Sequence, residues 1–145
     1  MIAGPVVIDA SVVVEYLVAL KLTKEASRLF ARLLDVDAEL ELWAPDLMFP
    51  EAVSALRKLV SRRAIDARAG ERAVGQLIRL PILASGSAPL MRDVWHLQAG
   101  VTVYDACYVV LARRLGAPFV TADGRLARAL SGRRDRVLHL SEIER

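Results

Sequence analysis

Five short apolar runs recur along the chain, separated by longer stretches of helical character, and no two are close enough in sequence to be joined as a hairpin. Strands that cannot pair through tight turns must run parallel, and parallel strands need crossover connections that bring the chain back to the same edge each time. The chain is therefore expected to fold as α/β, with a mostly parallel sheet of about five strands and helices on both faces. In such sheets ligands bind beyond the carboxyl ends of the strands, which makes the polar residues just after each apolar run the candidates for a site.

The first run, Pro5 to Ile8, is β-branched and stops at Asp9, ahead of a helix predicted from Ser11 to Leu20. A second helix is predicted from Thr23, as N-cap, to Val36, followed by a strand at 40–43 ended by Pro45 and a third helix from Asp46 to Arg62. Asp66 caps a fourth helix to Arg79, LPIL at 80–83 reads as a strand, and Ser85, Gly86 and Ser87 form a turn into a helix from Pro89 to Gln98. Gly100 breaks the chain before a helix over 102–115, which Gly116 and Pro118 end. PFVT is then a strand, Gly124 opens a short helix ending near Gly132, and a last strand lies at Arg136 to Leu140.

With 145 residues, 54% of them hydrophobic, the chain fits one compact domain over 1–145 and leaves no room for a second. The apolar start MIAGPVVI is cut by Asp9, and no uninterrupted apolar run approaches the ~18 residues of a membrane span, so a soluble cytoplasmic protein without membrane association is expected. The lone Cys107 excludes an intrachain disulfide and, within an apolar helix, reads as an inert buried thiol. His96 and His139 lack the spacing of metal ligands and read as packing or surface residues. The net charge is only +3, yet the basic side is 17 Arg to 3 Lys; guanidinium groups match phosphates in bidentate fashion, which leaves a polyanionic partner open without requiring one.

Within VTVYDACYVVLA, residues 101–112, one ionisable acid, Asp105, stands in a segment otherwise aliphatic, aromatic, small or hydroxyl-bearing. A carboxylate in such a setting needs compensation or takes a proton. With Thr102 as N-cap, Asp105 falls at the third helical position and could be satisfied in part by a capping-box arrangement; the other reading is a carboxylate held where a cation supplies the compensating charge. Three further acids have local explanations when taken singly. Asp9 in VVIDAS is a good helix cap, and Asp123 in FVTADG makes an Asp-Gly turn. Glu51, just after Pro50, is favourably placed near a helix start, at one margin of the stripe formed by Met48, Ala52, Ala55, Leu56 and Leu59.

As a set the four are more informative. Each is expected at a strand end or in the first turn of a helix that starts from the same edge of the sheet, so they can converge. Carboxylates brought together raise one another's pKa unless a divalent cation neutralises them, and oxygen-only ligands select hard ions such as Mg²⁺ or Mn²⁺ over zinc. Setting the four aside leaves 20 basic residues against 13 acidic ones, a basic body around an acidic pocket, which suits a phosphate-rich substrate.

VVIDAS, the PEAVSAL helix start, VTVYDACYVVLARRLG and FVTADGRLA, in this order and at these intervals, resemble the PIN-domain ribonucleases, and the single-domain length is similar to that of the VapC-type toxins of toxin–antitoxin pairs. The resemblance spans residues 6 to about 130. It implies a three-layer α/β/α sandwich and an endoribonuclease dependent on Mg²⁺ or Mn²⁺. It also implies a homodimer and a small VapB-like antitoxin that blocks the site. Carried over residue by residue, the family's acidic quartet falls on Asp9, Glu51, Asp105 and Asp123, with Ser11 and Thr121 at the supporting hydroxyl positions. Asp9, Asp105 and Asp123 are expected to hold the metal, with Glu51 completing its shell, serving a second ion or orienting the attacking water.

Two basic groups could guide RNA: Arg57, Lys58, Arg62 and Arg63 on the third helix, and Arg125, Arg128, Arg133, Arg134 and Arg136 after the TAD turn. A solvated helix face explains the first group as well, while the second starts beside Asp123. Val13, Tyr16 and Leu17 are expected in the core, with a dimer or antitoxin contact as the other reading. The same quartet would also serve a housekeeping PIN nuclease of RNA processing or a DNA-directed nuclease. In a different class stands a non-catalytic interaction module whose acids bind structural metal.

Overall fold

Strand β1 (Gly4–Ile8) ends in Val6, Val7 and Ile8, all fully buried, the continuous apolar stretch of a strand covered on both faces. The computed structural model, which describes residues 2–97, 100–132 and 135–143, places β1 at the centre of the sheet. It pairs with β2 (Leu40–Pro45) on one side and β4 (Phe119–Thr121) on the other, while β3 (Ile82–Ser85) lies outside β2 and β5 (Val137–His139) outside β4. Every pairing is parallel, in the order β3-β2-β1-β4-β5, as the alternation of runs predicts.

Among the described residues seven α-helices connect and cover these strands: α1 (Ala10–Leu17), α2 (Thr23–Ala31), α3 (Met48–Ser61), α4 (Ala67–Leu77), α5 (Met91–His96), α6 (Val103–Leu115) and α7 (Gly124–Leu130). The sheet grows one way from β1 to β3 and the other way from β4 to β5, so right-handed crossovers put α1 to α4 on one face and α5 to α7 on the opposite face. In keeping with this, α1 packs on α2, α3 and α4, and α5 packs on α6. The result is a three-layer α/β/α sandwich. Its core is Val12 and Val13 of α1, Met48, Ala52 and Leu56 of α3, and an unbroken buried run from Ala106 to Ala112 in α6, packed on the sheet. None of the described helices is long and apolar enough to cross a membrane.

Between β1 and β4 the strand order reverses. At such a switch point the flanking connections leave to opposite faces, and a crevice opens at the carboxyl ends of the two strands. Asp9 directly follows β1 and Asp123 follows β4 by two residues, so both stand at this crevice.

Several predicted boundaries move, each for a local reason. Helix α1 ends at Leu17 because Val18 turns extended, at φ −133°. Thr23 is the first helical residue and not the cap; Leu22 holds that position, and its amide donates to Glu15 Oε2. Helix α2 stops at Ala31, and the rest of the predicted segment folds as two 3₁₀ turns, Arg32–Leu34 and Val36–Ala38, the second held by the Asp35 side chain accepting from the Asp37 amide. Strand β3 starts at Ile82 because the Arg79 and Leu80 amides still bond back to Gln76 and Leu77. A 3₁₀ turn, Ala88–Leu90, precedes α5, and Gln98 lies outside the described residues. Val13 is fully buried, the core use expected of it; Leu17 is only partly buried, and Tyr16, although stacked on Phe30 at 4.1 Å between ring centres, stays 37% exposed, against the expectation of a core position.

Candidate active site

Asp9 answers both readings of its motif. As the N-cap of α1 its Oδ1 accepts from the Val12 amide at 3.3 Å, and the same oxygen accepts from Ser11 Oγ at 2.5 Å. The other oxygen, Oδ2, accepts from the hydroxyl of the fully buried Thr121 at 2.5 Å. Both hydroxyls are themselves aimed: Ser11 Oγ accepts from the Ala122 amide at 2.9 Å, and Thr121 Oγ1 from the Asp123 amide at 3.0 Å. The ends of β1 and β4 are thus stitched together through Asp9. Burial nevertheless pushes Asp9 up from 3.8 to about 6, the three hydrogen bonds pulling back and the charge of Asp105 pushing further.

Asp123 is the N-cap of α7, with Oδ1 accepting from the Arg125 and Leu126 amides at 3.0 and 3.2 Å, so its turn chemistry and its place at the rim coexist. From the neighbouring strand, His139 Nε2 donates to the Ala122 carbonyl at 3.2 Å. This fixes the tautomer: Nδ1 accepts from the Ser141 hydroxyl and amide at 2.7 and 3.4 Å. His139 therefore braces the TAD turn, a role its position in the sequence did not suggest.

Glu51 sits in the first turn of α3 and Asp105 in the first turn of α6. Tyr108, fully buried and stacked on Phe119 at 5.6 Å between ring centres, donates its hydroxyl to Glu51 Oε1 at 2.6 Å and so ties the two helical layers together at the edge of the sheet. Burial and the bonded, negatively charged Glu51 raise the Tyr108 hydroxyl far above its usual range, so it acts as a fixed donor. Its spacing of three from Asp105, on one helical face, was the signal for it. Thr102 caps α6 by accepting from the Asp105 amide at 3.1 Å, the expected half of a capping box. Burial raises both Glu51 and Asp105 from their ordinary values. Tyr108 pulls Glu51 back while Asp105 raises it; Thr102 and Arg125 pull Asp105 back while Asp123 raises it.

Asp105 is the electrostatic hub of the set: its charge reaches Asp9 and Glu51, and it feels the charge of Asp123. Among the described residues, no three Asp, Glu, His or Cys side chains form a ready-made ligating group. Both oxygens of Asp9 and Oε1 of Glu51 are turned onto hydroxyl donors. The donor chemistry still fits a hard dication. All the donors are oxygens, and Mg²⁺ binds through one or two carboxylates together with water and substrate phosphate, without a protein cage.

Of the basic residues, Arg125 is exposed in the first turn of α7, within charge reach of Asp105. Arg128 folds back over that turn, since a methyl placed on Gly124 would come within 3.2 Å of its Nη1. A pocket of ≈ 370 Å³ between α7 and β5 is bounded by Gly124, Arg128, Ser131, Val137 and His139, and Arg125 is not among its lining residues. Arg136 departs from the expected grouping: it precedes β5 and so lies at the opposite edge of the sheet. Arg133 and Arg134 lie outside the described residues. Arg62 ends α3, eleven residues beyond Glu51 and so about 16 Å along the helix, which places the first basic group on an exposed face leading away from the acids. Cys107 is buried with its thiol bonded to the Val103 carbonyl, and burial raises its pKa, the inert state expected of it.

A crossover sheet with acids at its switch point defines a class of site, and the PIN domain model matches residues 6–130. The chain belongs to the PIN-domain family. It is 35% identical over 124 residues to Ribonuclease VapC12 of Mycobacterium tuberculosis, a match covering 86% of this chain and 91% of that protein, which makes it a VapC-like member. Among solved structures it is similar to PAE2754 from Pyrobaculum aerophilum, with a TM-score of 0.67 at 22% identity over 97% of this chain and 94% of that one. It is also similar to the sarcin–ricin loop cleaving toxin VapC20 of Mycobacterium tuberculosis, with a TM-score of 0.59 at 19% identity over 86% of this chain and 94% of that one. At those identities the two structures speak for the fold alone.

Proposed function

We propose that this chain is a Mg²⁺- or Mn²⁺-dependent endoribonuclease that hydrolyses RNA phosphodiester bonds, acting as the toxin of a VapBC-type pair. The observation that supports this reading is the placement of the four acids: Asp9 and Asp123 follow β1 and β4 at the switch point, and Glu51 and Asp105 stand in the first turns of α3 and α6. That a relative covering most of the chain is named a ribonuclease supports the choice of substrate.

In this reading Asp9, Asp105 and Asp123 hold the ion, and Glu51 joins them or orients the attacking water. The bound dication supplies Lewis-acid neutralisation of the charge that builds on the phosphoryl oxygens. The chain's own residues do the positioning. Ser11 and Thr121 lock both oxygens of Asp9, Tyr108 locks Glu51, and His139 steadies the turn that carries Asp123. Arg125 and Arg128 draw the RNA backbone toward the acids. As proposed partners, a VapB-like antitoxin would block this rim and a second copy would complete a homodimer. The chain would work as a single domain over 1–145 in the cytoplasm.

The test is incubation of metal-stripped protein with defined RNAs and with DNA of the same sequence, with and without Mg²⁺ or Mn²⁺, beside an Asp105→Asn control. RNA cleavage that returns only with added metal and is lost in the control is the expected result. Cleavage in chelator, or by the control at saturating metal, contradicts the reading. Preferential cutting of DNA favours the DNA-directed alternative, and metal uptake without any cleavage favours the interaction module.

A further inference from the structure

Tyr104 is 64% exposed, although the segment that follows it on α6, Ala106 to Ala112, is buried throughout. It directly precedes Asp105 and lies one turn before Tyr108, the residue bonded to Glu51, so the two tyrosines share a face of the helix. Tyr108 is inside and Tyr104 is at the rim. Side chains in a helix lean toward its N-terminus, which carries the Tyr104 ring outward past the acid edge. Beside it, Val103 is 60% exposed and extends the apolar surface. Arg125 is exposed in the first turn of α7, two residues beyond Asp123, whose Oδ1 accepts from its amide. The acid edge is therefore flanked by an open aromatic face on α6 and an exposed cation on α7.

That combination selects its occupant. An apolar protein segment would meet carboxylates and a guanidinium around one ring and one valine, whereas a nucleotide offers a flat base for the ring and a phosphate for the cation. A duplex hides its base faces in the stack, so only an unpaired strand can present both. We propose that Tyr104 is a base-stacking residue that directs the site to unpaired RNA, an inference that rests on the ribonuclease reading above. The base next to the scissile phosphate stacks on Tyr104 while the backbone runs past Arg125.

The experiment measures binding by fluorescence polarisation of a labelled random-sequence RNA pool, single-stranded and annealed to its complement. The wild-type chain, Tyr104→Ala, Tyr104→Trp, Tyr104→Leu and Arg125→Ala are compared over a range of salt, with cleavage in Mn²⁺ followed in parallel. The wild type should prefer the unpaired pool. Tyr104→Ala should weaken that binding about tenfold or more at every salt concentration, Tyr104→Trp should restore it, and Tyr104→Leu should not. Arg125→Ala should instead flatten the salt dependence. Tyr104→Ala binding like the wild type, rescue by leucine, or preference for the duplex overturns the proposal. So does a Tyr104→Ala variant with unchanged RNA affinity and a lower sedimentation coefficient, which would assign the ring to a contact between copies. Binding that follows the expected pattern without any cleavage would leave Tyr104 in place and remove the nuclease reading; no RNA binding at all would remove both.

Discussion

The two ends of α6 handle charge in opposite ways. At its C-terminal end Arg113 grips Asp135 in a bidentate pair at 2.6 and 2.7 Å, and Arg114 bonds Asp93 at 2.9 Å and the Pro89 carbonyl at 2.8 Å. At its N-terminal end Asp105 joins three other acids whose carboxylates meet hydroxyls and amides, with Arg125 offsetting only part of the repulsion. A chain with 17 arginines can match an acid with a guanidinium, and at one end of this helix it does so. At the other it leaves the buried Asp9 and the half-buried Glu51 and Asp105 above their ordinary pKa. That is the condition a hard cation relieves and a purely structural helix end would avoid.

The contrast breaks most sharply in activity. Asp9→Asn, Asp105→Asn and Asp123→Asn should each lower RNA cleavage by at least ~100-fold while circular dichroism stays native, because each removes charge and leaves the shape. A variant that keeps wild-type turnover leaves the set.

Stability against pH gives the next largest effect. In metal-free protein, Asp9 titrates at about 6 when folded against 3.8 when unfolded, so between those values the native state keeps a proton that the unfolded chain has released. Stability is therefore complete below this window and falls as pH rises through it, by up to about 3 kcal/mol for Asp9 alone. Glu51 and Asp105, also raised, act in the same direction. Denaturation of wild type and Asp9→Asn in chelator, from about pH 4 to about pH 7, should show the difference between them moving in favour of the variant as pH rises. A constant difference would contradict the burial of Asp9.

Tyr108→Phe removes the donor to Glu51 and keeps the ring on Phe119. It should cost about 1–2 kcal/mol of stability and lower turnover several-fold without shifting metal affinity as much as Asp105→Asn does. The smallest effect belongs to the far end of the helix. The Arg113 side chain is 38% exposed, so Arg113→Ala should cost no more than about 1 kcal/mol and leave cleavage unchanged.

Much of this was legible from residues in series. The β-branched run before Asp9, the Thr102 cap and the break at Gly116, which adopts φ 60°, are local signals, and the parallel sheet follows from the lack of hairpins. The four acids could be placed because each adjoins a strand end or helix start. Partnerships between elements were not legible: Tyr108 meets Glu51 from 57 residues away, and His139 reaches Ala122 only because β5 pairs with β4. Arg136 was grouped with Arg125 by proximity in sequence, yet β5 begins at the opposite edge from the acids. The end of α2 was overextended because Asp35 closes a turn of its own, and this local competition outweighed the apolar pattern of Leu33, Leu34 and Val36.

The most direct measurement is calorimetric titration of Mn²⁺ into chelator-stripped protein, wild type beside Asp105→Asn. The account predicts saturable uptake by the wild type that is abolished or much weakened in the variant, since Asp105 is the acid through which the others interact. Equal uptake by the two proteins, or none by the wild type, would contradict it.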